Sequence, residues 1–127
     1  MIDNKIEIKN SSKGKLPSLP FEQIKDAVCG KEYELSIACV SKKESQRINK
    51  QYRDKDYPTN ILSFPLSENS GEIILQLDKV KEDAPNFDMS YEKFLQFLVI
   101  HGCLHLKGFE HGSTMEKEER KYVKMFS

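Results

Sequence analysis

Apolar and polar positions alternate along the chain in a way that divides it into short strands and amphipathic helices. Ile2, Ile6 and Ile8 predict a first strand, with Ile6 and Ile8 sharing a face. Ser18 stands ahead of Phe21, Ile24, Ala27 and Val28 at helical spacing, and Gly30 closes that helix. Residues 33–40, YELSIACV, alternate again and are rich in strand formers. Ser41 and Glu44 form a capping box, in which hydroxyl and carboxylate each satisfy an orphan amide at a helix start. The helix it opens carries Ile48 and Tyr52 four apart on one face, so both are expected in the core. Residues 53–60 are polar, contain Pro58 and read as a loop. Residues 61–65 and 72–77 read as strands separated by a turn containing Gly71, and a polar, acidic stretch through Asp83, Pro85 and Asp88 follows with no element assigned.

Residues 94–100, FLQFLVI, contain one polar position, and periodicity alone does not separate a buried strand from a buried helix there. The continuation to Leu106 and the stop at Gly108 favour a central helix over 91–106, apolar nearly all round. A last helix is expected from Ser113, with Glu116 completing a second capping box and Met115, Tyr122 and Phe126 facing inward. The order β-α-β-α-β-β-α-α predicts an α+β fold, a small mixed sheet packed with helices. Residues 1–127 read as a single domain, since 127 residues without a repeat or a linker fit one core.

Composition narrows the class. Apolar residues at 38% and charged residues at 31% describe a soluble, highly charged protein with a real core. No stretch approaches the roughly 20 apolar residues of a membrane span, and the opening residues hold no apolar signal segment, so no membrane partner is expected. Three cysteines, Cys29, Cys39 and Cys103, are odd in number and widely spaced, which fits free thiols in a reducing, cytoplasmic location. Lys and Arg number 20 against 20 Asp and Glu, so any case for nucleic-acid binding rests on local patches.

All three histidines fall within residues 101–111, HGCLHLKGFEH. On a helix, His101 and His105 lie one turn apart on the same face and can converge on one metal ion. Gly108 lets the chain turn sharply out of the helix, which can bring His111 back as a third ligand. Three imidazoles leave a fourth tetrahedral position for water, as in catalytic zinc sites. The ligand set suits one Zn²⁺, although nickel or copper would also bind it. The spacing H-x-x-x-H-x-x-G-x-x-H is that of metzincin peptidases, giving a zincin-like site at the end of the central helix. Metzincins, however, need glutamate after the first histidine as general base, and Gly102 stands there. That disfavours a peptidase. Glu110 is the nearest carboxylate but lies beyond the helix end, Cys103 points off the face of the two histidines, and Met115 fits ordinary core packing.

The other distinctive segment runs from Lys42 to Pro65. Lys42, Lys43, Arg47, Lys50, Arg53 and Lys55 outnumber Glu44 and Asp54, an asymmetry that could steer a phosphate backbone. Arg53 sits where helix gives way to loop and could grip a phosphate through two parallel hydrogen bonds, with Tyr52 or Tyr57 available to stack on a base. Residues 52–65, YRDKDYPTNILSFP, together with residues 101–111, resemble the YbeY family of bacterial single-strand-specific endoribonucleases, or ribosomal RNA maturation factors. Gly71-Glu72-Ile73 sits where that family usually carries Gly-Asp-Ile, so the resemblance spans nearly the whole chain. It departs at Glu110, where aspartate is common, and in a shorter segment between His111 and Met115.

The resemblance implies zinc on His101, His105 and His111, a catalytic role for Arg53 and a mixed sheet with helices. It implies a cytoplasmic protein acting on single-stranded ribosomal RNA near the 3′ end of the 16S RNA, with the small ribosomal subunit as partner, a role in ribosome quality control and no action on DNA. The reading from another class is an RNA- or ribosome-binding maturation factor whose metal is structural, kept open because no general base is evident.

Overall fold

The computed structural model describes residues 5–127. Strand β1 (Ile6–Asn10) leads through helix α1 (Phe21–Val28) to β2 (Glu34–Cys39), and α2 (Lys42–Arg53) leads to the hairpin of β3 (Ile61–Ser67) and β4 (Ser70–Leu75). Three further helices follow: α3 (Leu77–Asp83), continued by a 3₁₀ turn at Ala84–Phe87, then α4 (Tyr91–Leu106) and α5 (Ser113–Met125). The sheet order is β1-β2-β4-β3, with β1, β2 and β4 parallel and β3 antiparallel to β4. The fold is the expected α+β mixed sheet with helices. Ile2, assigned to the first strand, lies outside the described residues.

Side-chain alternation gives the sheet two apolar faces. Leu35, Ile37, Cys39, Ile73 and Leu75 face α1 and α4 in the larger core, while Leu62 and Ile74 face Ile48 of α2 in a smaller one. Phe94, Leu95, Val99, Ile100 and Cys103 of α4 are fully buried, which is why that helix is apolar nearly all round. Ser90 caps it, its hydroxyl accepting from Lys93 N at 3.3 Å.

Several expected details differ. Helix α3 was not assigned: residues 72–77 continue a strand-like alternation, yet β4 stops at Leu75 and Gln76 turns the chain into a helix. The Gln76 side chain accepts from Lys79 N at 2.7 Å and donates to Val40 O at 3.1 Å, a cap made by a residue outside the usual set of short polar caps. Ser18 and Ser113 are not caps. Pro20 precedes α1 and Gly112 precedes α5, neither with a side-chain capping bond, and Ser113 already lies in the first turn of α5. Ser41 does cap α2, but only half the box forms, because the Glu44 carboxylate binds Arg47 instead of returning to the helix start. Tyr52 is not in the core. It stands 63% exposed, while Ile48 on the same face is buried. The Tyr52 ring meets Phe64 of β3, which is itself only partly buried at the rim of the smaller core.

Candidate metal centre and cleft

Helix α4 carries His101 and His105 one turn apart, both half-buried, on the side facing the β3 edge of the molecule. At its C-terminus Gly108 takes φ +93°, a left-handed conformation open to glycine without strain. The turn is closed by Gly108 N donating to His105 O at 2.9 Å and Phe109 N to Leu104 O at 3.1 Å. It brings His111 back beside the other two rings, 5.3 Å from His101 and 4.8 Å from His105 between centroids. One ring nitrogen from each histidine lies within 4.8 Å of the others, so the trio could hold a metal ion.

The protonation of the two helical histidines follows from their partners. His101 Nδ1 stands 2.7 Å from the Glu119 carboxylate, and His105 Nδ1 stands 3.0 Å from the Phe109 carbonyl. A carboxylate and a carbonyl only accept, so each Nδ1 carries the proton and donates it. In the neutral ring each Nε2 then keeps a lone pair, and the two Nε2 atoms face each other at 3.1 Å. Two lone pairs at that distance repel unless a positive charge is shared between them. Ligands about 2.0–2.1 Å from a tetrahedral zinc stand roughly 3.3 Å apart, so the donor set fits such an ion. Burial, followed by the neighbouring charge of His101, lowers the His105 pKa, while the Phe109 carbonyl pulls it upward.

Glu119 is the residue that sequence reading missed. It projects from α5, is 9% exposed and fixes which nitrogen His101 presents. The signal was present: Glu119 is four residues after Met115 and three before Tyr122, within the apolar stripe of an amphipathic helix. Met115 is core, as expected from its place in that stripe. Cys103 is fully buried, and a hydrogen bond with Cys29 together with burial holds its thiol well above the ordinary range.

Gly102 is set by packing. A Cβ there would lie 2.9 Å from Ser63 Oγ, 3.0 Å from Ile73 Cδ1 and 3.1 Å from Ile61 Cδ1. The position after the first histidine therefore faces the sheet and leaves no room for a glutamate aimed at the histidines.

Opposite the histidines, a cleft of about 640 Å³ is walled by β3 and by the end of α2. Tyr52 and Arg53 both line it. Arg53 is exposed and makes no ion pair among the described residues. The loop beyond it is more ordered than its polar sequence suggests. Ser45, buried on α2, donates to Thr59 O at 2.8 Å and accepts from Thr59 N at 3.0 Å, and buried Asn49 donates to Tyr57 O at 2.9 Å. Of the basic residues on this segment, Lys42 pairs with Glu82, Arg47 with Glu44 and Lys50 with Asp56, so the open positive charge is concentrated at Lys43, Arg53 and Lys55. Glu110 lines the cleft as its one carboxylate among the described residues, exposed beyond the helix end.

A mixed sheet carrying a three-histidine cluster at the end of its central helix, across a cleft from an open arginine, defines a small α+β protein with a zincin-like centre that lacks the zincin glutamate. The chain belongs to the YbeY family: a family model described as Endoribonuclease YbeY matches residues 2–126. Curated relatives named endoribonuclease YbeY include those of Colwellia psychrerythraea, 41% identical over 74% of this chain, and Oceanobacillus iheyensis, 39% identical over 86% of it. The matches span 65% of the Colwellia protein and 77% of the Oceanobacillus one. A Bacillus licheniformis relative is 39% identical over 72% of this chain and 66% of its own length. The solution structure of TM1509 from Thermotoga maritima superimposes with a TM-score of 0.65 at 31% identity, covering 94% of this chain and 87% of that one. Among the described residues, no helix is long and apolar enough to cross a membrane.

Proposed function

We propose that this chain, as one domain over residues 1–127, is a zinc-dependent, single-strand-specific endoribonuclease of ribosomal RNA processing. The convergence of two Nε2 atoms at 3.1 Å, facing a cleft that contains Arg53, carries the reading. His101, His105 and His111 would hold one Zn²⁺ ion. When bound, the ion supplies Lewis acidity toward a phosphodiester. Glu119 and the Phe109 carbonyl hold the proton on the outer nitrogen of each helical histidine, so both rings remain ligands without rearrangement. Arg53, without an ion pair among the described residues, binds the phosphate in bidentate fashion and stabilises negative charge developing on its oxygens. The names of the curated relatives support RNA as substrate. The family resemblance supports 16S RNA 3′-end maturation and ribosome quality control in the cytoplasm, with the small subunit as partner.

The second reading, an RNA-binding maturation factor with a structural metal, is favoured by two observations: Gly102 excludes a carboxylate from the usual general-base position, and Glu119 is committed to His101. One experiment separates the two. A labelled single-stranded RNA is incubated with native, metal-stripped and zinc-restored protein and with His105→Ala. Cleavage that follows zinc and vanishes in the variant supports the nuclease. One equivalent of zinc bound without cleavage above the variant's background supports the binding factor. Arg53→Ala is expected to slow cleavage by about 10²–10³, the usual cost of one lost charge-stabilising donor, and full activity would remove Arg53 from the mechanism. DNA of the same sequence is expected to remain intact.

A further inference from the structure

Tyr52 is a large aromatic side chain without a structural occupation. It is 63% exposed, and its hydroxyl has no hydrogen-bond partner among the described residues. Its ring meets Phe64 of β3 at 5.1 Å between centroids with planes 61° apart. An edge-to-face contact uses one face of one ring and an edge of the other, so at least one face of Tyr52 is left over. The two rings also stand at a boundary. Both line the histidine cleft, and both line a second hollow of about 400 Å³ whose walls include Ile48, Ile74 and Leu66. The Tyr52–Phe64 pair is therefore a wall shared by the two hollows. Each has one guanidinium: Arg53 in the first, open, and Arg47 in the second, held by Glu44 and Gln51. Glu72, paired with Phe64 across the β3–β4 hairpin, also lines the second hollow and makes it unfavourable for a phosphate.

We propose that the Tyr52 ring, backed by Phe64, is a stacking subsite for one unpaired base of the RNA whose adjoining phosphate lies at Arg53 and the histidines. The proposal rests on the nuclease reading and adds a selection step to it. A flat base is matched by a flat, exposed ring, the phosphate on one side of it by the neighbouring Arg53, and the apolar hollow beyond receives base and not phosphate. A duplex keeps its bases stacked on one another and has none to offer Tyr52, so this contact selects for single strands.

The test measures binding of a fluorescent single-stranded oligoribonucleotide, with chelator present so that no strand is cut, and repeats it with strands lacking one base at each position in turn. Tyr52→Ala is expected to bind the intact strand about tenfold more weakly, within the range for loss of one stacked base. Tyr52→Phe, which keeps the ring, is expected to match the native protein within about twofold. At one position, removal of the base should abolish the difference between native protein and Tyr52→Ala. Native affinity in Tyr52→Ala, or a loss that is the same on every abasic strand, overturns the subsite and leaves the nuclease reading standing. Native protein that neither binds the strand here nor cuts it once zinc is restored overturns both.

Discussion

Glu119 holds the proton of His101 on the nitrogen that points away from the cluster, and everything the ring can do on its other side depends on that. Glu119→Gln places an amide where the carboxylate was and removes the charge that orients the imidazole. The expected result is a ten- to hundredfold weaker zinc affinity, in the range for partners of metal-bound histidines, measured by competition with a chromophoric chelator. An unchanged affinity would mean that packing alone orients His101. At this scale the histidines were legible because three ligands and a glycine at fixed spacing leave few other meanings. Glu119 was legible only as a carboxylate in an apolar stripe; its partner was not, because that needs α5 to fold back onto α4, a contact across 18 residues that local pattern does not encode. Tyr52 was misplaced for a related reason. It shares its face of α2 with Ile48, but it meets Phe64 at the rim of the smaller core, which leaves most of its ring in solvent. Burial also acts on two groups remote from the site. It pushes the Cys39 thiol from 9.0 up to about 11 and the Tyr33 phenol from 10.0 up to about 12. Both folded values lie above the unfolded ones, so the associated stability is complete below pH 9 and lost as pH rises through 9 to 12. Denaturant midpoints should fall over that window, and less steeply in Cys39→Ala once its lower starting stability is allowed for.

Helix α4 is at once the beam of the larger core and the carrier of two candidate ligands, and Gly102 is where these duties meet. Gly102→Ala puts a methyl group against Ser63, Ile73 and Ile61, and a destabilisation of about 1–3 kcal/mol is expected from overpacking. Equilibrium unfolding in urea checks it, and a neutral result would show that α4 and β3 can separate without cost. Elements with strong periodicity or an ordinary serine cap, such as α2 and α4, were readable from sequence. Helix α3 was hidden because its few apolar positions follow directly on a strand and its cap is Gln76, which also ties back to Val40. Helix α5 begins at Ser113 as expected, but at α1 and α5 a proline and a glycine, not the nearby serines, hold the cap position.

Over the whole molecule the charges balance, so attraction for a polyanion is local. With Lys43, Arg53 and Lys55 as the open cations, RNA affinity should fall with a log–log salt slope of about −2, from roughly 0.7 per neutralised phosphate on a single strand. A slope near −4 would show that all six basic residues between Lys42 and Lys55 engage. The sheet's outer edge bears on what kind of polymer can lie there. Gln76 N donates to Asn60 O, so along β3 the pairs Leu62–Ile74 and Phe64–Glu72 spend their amides on β4, and Ile61, Ser63 and Pro65 turn theirs outward. Proline has no amide hydrogen to offer, and a bulge follows between Pro65 and Ser67. An extended polypeptide laid alongside would find amide donors at Ile61 and Ser63 and none at Pro65. A hydrolase that grips its substrate's main chain by adding it as a further strand would have only a broken rail here, whereas a chain gripped by its phosphates and flat rings needs no rail.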